Sequence, residues 1–217
     1  MSGRLCGRQK LSYWETLYSD IKAGRLGDRG PGDGWLKRYE ALIAPGARAL
    51  DLGCGDGPNI RPLLDMGARV TAADLSQSAV ELAKQAYPQI ETACLDMTQG
   101  LPFDDHSFDV VAADLSLHYF TWADTQRIAA DIARVLTPGG WLLARVHSTA
   151  DVDPAGLERI EPNYYISRGY PRRYFDMDDL RALFGGWTRL EARETRISRY
   201  GMDKQVIEFA AKANEAG

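Results

Sequence analysis

An apolar strand that runs straight into alternating glycines constrains this chain more than any other feature. Ala47 to Leu52 is a short apolar run, Gly53-Cys54-Gly55-Asp56-Gly57 turns it, and Ile60, Leu63, Leu64 and Met66 continue at helical spacing. Glycines at such a junction let the backbone turn sharply and let a ligand approach main-chain N–H groups, which suits a nucleotide-type guest. The unit then recurs, with strand Val70–Ala73 and a helix from Ser76 to about Ala86. Ile90–Leu95 and Phe108–Ala113 read as strands, and Thr121–Leu136 as a helix. Trp141–Val146 reads as a strand opened by the turn Thr137-Pro138-Gly139-Gly140. Apolar strands alternating with helices predict an α/β fold, a doubly wound, Rossmann-like, mostly parallel sheet with helices on both faces.

The ends behave differently. Leu11, Trp14, Leu17, Tyr18 and Ile21 paint one helical face, so a helix is predicted over Leu11–Ala23, with a second over Trp35–Ile43 beyond a glycine-rich loop. The first helix and that loop are the candidates for a closing element. After His147 the alternation stops: Asp151–Arg173 is polar, aromatic and proline-containing, with no regular element assigned. Asp176 caps a helix through Phe184, and Thr188–Ile197 with Gln205–Ala211 predicts a C-terminal antiparallel hairpin that brings the sheet to seven strands. The expected organisation is one domain over 1–217, with a helical cap or lid at 1–44, a cofactor-binding core at 45–147, and a substrate-side insert and closing hairpin at 148–217.

Composition narrows the partner. With 26 basic against 30 acidic side chains among 217 residues, the net charge is −4. A charge-mixed, slightly acidic surface argues against a nucleic-acid binder and against a basic membrane anchor, so a small molecule is the expected partner. Three widely spaced cysteines form neither a disulfide framework nor a zinc pair, and no apolar run has membrane-span length; a cytoplasmic location is expected and no metal.

The loop itself separates two cofactor classes. Its spacing is Gly-x-Gly-x-Gly, where a dinucleotide fingerprint requires Gly-x-Gly-x-x-Gly, and Pro58 stands where the helix should open. Asp51 and Asp56 beside it would repel a pyrophosphate and welcome a cation. Asp74, ending the second strand, is placed to accept bonds from ribose hydroxyls or merely to cap the next helix, a task open to Ser76. Asp96 with Met97 suits an adenine amine and face, or is a solvated loop acid.

At these residues the sequence resembles the class I S-adenosylmethionine-dependent methyltransferases. Asp51-Leu52-Gly53-Cys54-Gly55-Asp56-Gly57 is similar to the family's first glycine motif, and Asp74 to its ribose acid. Asp96-Met97 followed by Leu101-Pro102-Phe103 resembles the adenine segment, Phe108-Asp109-Val110-Val111 the fourth strand, and Leu136-Thr137-Pro138-Gly139-Gly140 the turn into the fifth. The match spans about 45–146. It implies S-adenosyl-L-methionine as cofactor, S-adenosyl-L-homocysteine as product, and cofactor contacts from Asp51, Gly53, Cys54, Gly55, Asp56, Asp74, Leu75, Asp96 and Met97. Asp114 and Leu115 are implied at the methionine end, and Trp14 from the first helix. The flanks Tyr13-Trp14-Glu15 and Arg172-Arg173-Tyr174-Phe175 are similar to the small-molecule tellurite-resistance and thiopurine group.

For the acceptor, Asp114-Leu115-Ser116-Leu117-His118-Tyr119-Phe120 follows the fourth strand, where open parallel sheets bind substrates. The family's Asn-Pro-Pro-Tyr signature for base amines is missing from it. His118 is either a base or a histidine bonded to a neighbouring loop; His147 ends the fifth strand, where a structural role is favoured. Tyr119, His147, Arg168, Arg172, Arg173 and Tyr200 are the substrate candidates, the insert's arginines forming either a lid or a solvated basic face. The predicted activity is methyl transfer to a small molecule by in-line displacement. An NAD-type oxidoreductase, a catalytically inactive cofactor-binding partner subunit and an aminopropyl transferase are the alternatives.

Overall fold

A computed structural model describes residues 7–27, 32–199 and 202–215, with side chains from residue 13 onward and up to residue 198 in the middle segment. These form two compact units, residues 1–97 and 98–217. The strands hydrogen-bond in a seven-stranded sheet of order β3-β2-β1-β4-β5-β10-β9, using β1 Arg48–Leu52, β2 Arg69–Asp74, β3 Glu91–Cys94, β4 Phe108–Asp114, β5 Leu136–His147, β9 Arg189–Arg199 and β10 Met202–Lys212. β1–β2, β2–β3 and β4–β5 are parallel pairs, while β10 runs antiparallel to both β5 and β9. The expected Rossmann-like sheet and closing hairpin are therefore present.

In the first unit, β1 is followed by helix α2 (Ile60–Asp65) and β2 by α3 (Gln77–Ala86). Ala49, Leu50, Leu52, Ala72 and Ala73 are fully buried, which explains why these strands read as continuous apolar runs rather than alternating ones. Ser76 caps α3 by accepting a bond from the Ala79 N–H. Helix α1 (Gly7–Lys22) packs Tyr18 and Ile21 against Ala79, with Trp14, Leu17 and Leu82 beside them. The second expected helix is present over residues 35–42 as a 3-10 helix. Its Trp35 indole N–H donates to Asn59 Oδ1 at 3.0 Å.

In the second unit, α4 (Trp122–Val135) joins β4 to β5, with Thr121 as its cap, and α5 (Met177–Phe184) starts on a capping box made by Asp176 and Asp179. Two readings are revised. β5 begins at Leu136, because the Thr137–Gly140 turn is absorbed into the strand as a register shift against β4. Residues 158–173, to which the sequence assigned no regular element, form a second antiparallel sheet: β6 (Glu158–Glu161), β7 (Tyr164–Ser167) and β8 (Tyr170–Arg173). Short strands of mixed polarity give no two-residue alternation to detect; this sheet is held instead by one buried cation. Arg173 Nε donates to Phe120 O at 3.1 Å and Nη1 to Pro162 O at 3.2 Å, while Nη2 pairs with Glu161. The guanidinium also lies over Trp122 and Tyr164 at 5.3 and 5.1 Å. Among the described residues, no helix is long and apolar enough to cross a membrane.

Candidate functional site

The carboxyl ends of the three strands in the first unit gather the residues singled out above. The Gly53 and Cys54 N–H groups both donate to Ala73 O, at 2.7 and 3.0 Å, tying the turn after β1 to the end of β2. Gly53, Gly55 and Gly57 adopt positive φ of 81°, 54° and 96°, a region costly for residues with a Cβ. A Cβ on Gly55 would also collide with the Tyr18 hydroxyl, so α1 seats an aromatic ring directly on the loop.

Asp74 locks the arrangement. Its Oδ2 accepts from the Gly55 N–H and its Oδ1 from the Ser76 N–H, both at 2.9 Å, so one carboxylate fixes the glycine turn and the start of α3. Asp51 is fully buried and accepts from Asn59 Nδ2 at 3.1 Å, so it supports the loop from within, and Asn59 relays it to Trp35. Asp56, Leu75, Asp96 and Met97 are half-buried around the same strand ends. Trp14 stacks on Tyr18 with centroids 6.2 Å apart.

The field in this region is negative. Burial, then the charges of Asp74, Asp51 and Asp56, push the Cys54 thiol well above its ordinary value. The burial part of that shift opposes charge of either sign, whereas the part from the three carboxylates is a negative potential that attracts a cation.

Glu15 on α1 is a residue that the sequence reading did not single out for this site. It accepts from Ser76 Oγ at 2.7 Å, Ser78 Oγ at 2.5 Å and the Ser78 N–H at 3.3 Å. Burial works against its charge, but these hydroxyl and backbone bonds outweigh it and hold the carboxyl below its usual range. Lys22 pairs with Glu81 further along, so the three bonds to Glu15, this ion pair and an apolar seam fasten α1 to α3 and its cap.

In the second unit, Asp114 ends β4 opposite Arg145 of β5. Arg145 Nε and Nη2 meet Asp114 Oδ1 and Oδ2 at 2.7 and 2.9 Å, a forked pair with side chains only 1% and 2% exposed. Leu115 next to it takes a positive φ of 54°. His118 is 1% exposed, and its ring lies 4.4 Å from His147 and 4.1 Å from Tyr119 between centroids. His147 Nδ1 bonds Asp151 Oδ2 at 2.9 Å, which assigns the ring proton to Nδ1, and Asp151 Oδ1 accepts from the Gln205 N–H at 2.6 Å. The i, i+4 spacing of His147 and Asp151 was the available sequence signal for this pair.

The substrate candidates divide. His147, Tyr119 and Arg172 lie around His118. Arg173 is buried, and burial pushes it down to about 10, so it remains a cation committed to the small sheet. Arg168 is exposed on the β7–β8 turn and contacts the Met202 sulfur. Tyr200 lies outside the described residues.

A family described as "Methyltransferase domain" matches residues 50–144. Residues 50–144 form a class I S-adenosylmethionine-dependent methyltransferase domain. An uncharacterized methyltransferase of Synechocystis is 40% identical over 98 residues, covering 45% of this chain and 46% of its own length. A tRNA N(3)-cytidine methyltransferase of Xenopus tropicalis is 30% identical over 186 residues, covering 76% of this chain and 55% of its own length. The chain thus spans about half the length of these curated relatives. A SAM-dependent methyltransferase structure from Methanosarcina mazei shares the fold, with a TM-score of 0.71 and 21% identity over 82% of this chain and 98% of that one.

The donor-end residues fit the methyltransferase cofactor, S-adenosylmethionine, whose sulfonium and amino groups are cations. The carboxylates that raise Cys54 supply the matching field.

Proposed function

We propose that this chain methylates a small-molecule acceptor with S-adenosylmethionine, acting as one domain with 1–44 as cover, 45–147 as donor-binding core and 148–217 as the substrate side. The observation that supports this most is the convergence of Asp74, Asp51 and Asp56 on the glycine turn, a negative field around Cys54 that suits a sulfonium. The cofactor supplies an electrophilic methyl group. Asp74 holds the ribose hydroxyls, Asp96 and Met97 address the adenine, and Trp14 with Tyr18 on α1 covers the loop. In-line displacement needs alignment and exclusion of water more than acid–base groups, so a rigid loop under an aromatic lid is the machinery required.

Incubation of the purified chain with methyl-labelled donor and fractionated metabolite extract tests this reading. A labelled small-molecule product is expected; donor binding without label transfer to any fraction would favour the inactive-subunit reading. A second reading, methylation of RNA, is favoured by the similarity to a tRNA methyltransferase. The net charge of −4 opposes it, because phosphate recognition draws on a positive field. Total tRNA added to the same assay separates the two by which fraction carries the label.

A further inference from the structure

In the first unit a continuous series of hydrogen bonds runs from α1 to the glycine turn. Glu15 Oε2 accepts from Ser76 Oγ at 2.7 Å. The Ser76 N–H donates to Asp74 Oδ1 at 2.9 Å, and Asp74 Oδ2 accepts from the Gly55 N–H at 2.9 Å. Ser76 is the hinge of this series. Its hydroxyl oxygen accepts from the Ala79 N–H at 3.1 Å as the cap of α3, while its hydrogen is committed to Glu15. The carboxylate thus fixes which way the capping hydroxyl points, and with it the residue whose N–H meets Asp74. Ser78 holds Glu15 in place, its Oγ donating to Oε1 at 2.5 Å and its N–H to Oε2 at 3.3 Å.

The series returns to α1 at its other end. Tyr18, at i+3 from Glu15, shares its helical face, and the Tyr18 hydroxyl stands where a Cβ on Gly55 would collide with it. Helix α1 therefore meets the loop twice, through Tyr18 on Gly55 and through Glu15 by way of Ser76 and Asp74. The charge suits its place, because a carboxylate on the first turn of the ten-residue α3 lies at the positive end of that helix. Burial opposes the charge, but the bonds from Ser78 and Ser76 outweigh it and hold the carboxyl below its usual range, so Glu15 is ionised at neutral pH. The Lys22–Glu81 pair, by contrast, joins exposed side chains further along α1.

We infer that Glu15 is a positioning residue for the methyl donor, acting through Ser76 to hold Asp74 and the glycine turn in the geometry that binds it. This rests on the reading of the glycine turn as the S-adenosylmethionine site and names the residue that couples α1 to it. Coupling of this kind is reciprocal: whatever factor a docked α1 adds to donor affinity, bound donor adds to the docking of α1. Helix α1 is then a working part of the donor site as well as its cover.

Isothermal titration of the full chain with S-adenosylmethionine tests this, together with the backbone amide signals of the donor-free chain by nuclear magnetic resonance. Glu15→Ala should weaken donor binding about fivefold or more. Lys22→Ala, which breaks an exposed ion pair between α1 and α3, should stay within about twofold of native. Ser76→Ala removes the hydroxyl and keeps the N–H that meets Asp74, so it cuts the same link as Glu15→Ala. The double variant should therefore bind within about twofold of the weaker single variant, a non-additivity that two independent structural losses do not give. Without donor, Glu15→Ala should move the Gly55 amide signal and Lys22→Ala should leave it in place. Should Glu15→Ala fail to fold, Glu15→Gln, which loses one acceptor oxygen, takes its place with the same expected outcomes. Donor binding by the Glu15 variant within about twofold of native, equal losses in the Glu15 and Lys22 variants, losses that multiply in the double variant, or an unmoved Gly55 signal would each overturn the inference. If the native chain binds no S-adenosylmethionine, the methyltransferase reading fails, and the donor-free Gly55 signal still decides whether Glu15 holds Asp74 in place.

Discussion

Arg145→Met probes the interior of the second unit, where a charge pair crosses from β5 to β4. The variant keeps most of the side-chain length and removes the fork that meets Asp114 at 2.7 and 2.9 Å. With the pair only 1% and 2% exposed, solvent cannot repay the abandoned carboxylate. Breaking a buried pair from one side costs about 3–5 kcal/mol, and in a chain of this size each kcal/mol lowers Tm by about 2–4 °C. A fall in Tm of about 6–20 °C is expected, read by circular dichroism on heating and by urea midpoints. The double variant Asp114→Leu with Arg145→Met removes both charges and should recover most of the loss, since the pair's attraction only offsets its own desolvation. A single variant within about 1 kcal/mol of native, or a double variant as unstable as the single, would refute the reasoning.

Three further outcomes follow from the geometry. Asp74→Ala removes the acceptor of the Gly55 and Ser76 N–H groups, and donor affinity by calorimetry should drop severalfold or more; unchanged affinity contradicts that role. Burial and neighbouring positive charge depress the folded pKa of His118, and burial depresses that of His147, below the ordinary 6.5. The unfolded chain then takes up those protons first, so their contribution is full above about pH 6.5 and declines as pH falls, by at most about 1.4 kcal/mol per unit per ring. His118→Asn should flatten the urea-midpoint slope between pH 6.5 and 5, and parallel slopes would contradict it. Arg173→Ala removes one donor each from Phe120 O, Pro162 O and Glu161, at a cost of about 3–5 kcal/mol; limited proteolysis should cut within 158–173 faster than in the native chain, and an unchanged rate contradicts it.

What the sequence made legible was whatever burial or capping writes locally. Fully buried strands such as Ala49–Leu52 and Val110–Ala113 read as apolar runs, and Ser76, Thr121 and Asp176 announced the helices they cap. The small sheet was not legible, because its cohesion comes from Arg173, and arginine in a sequence reads as surface. The Asp114–Arg145 pair depends on the register of β4 against β5, which no local pattern encodes. Likewise Glu15 meets Ser76 and Ser78 across about sixty residues, so its part in fastening α1 over the glycine turn emerged only from the fold. At the candidate site, the loop acids were visible as a charge pattern, whereas the open nitrogens of His118 are a property of packing.

Isothermal titration of the full chain with S-adenosylmethionine and, separately, with NAD tests most directly whether the acidic glycine turn is built for a sulfonium. The account predicts saturable binding of one S-adenosylmethionine per chain, displaced by S-adenosylhomocysteine, with no saturable heat from NAD. Saturable NAD binding with none for S-adenosylmethionine would contradict it.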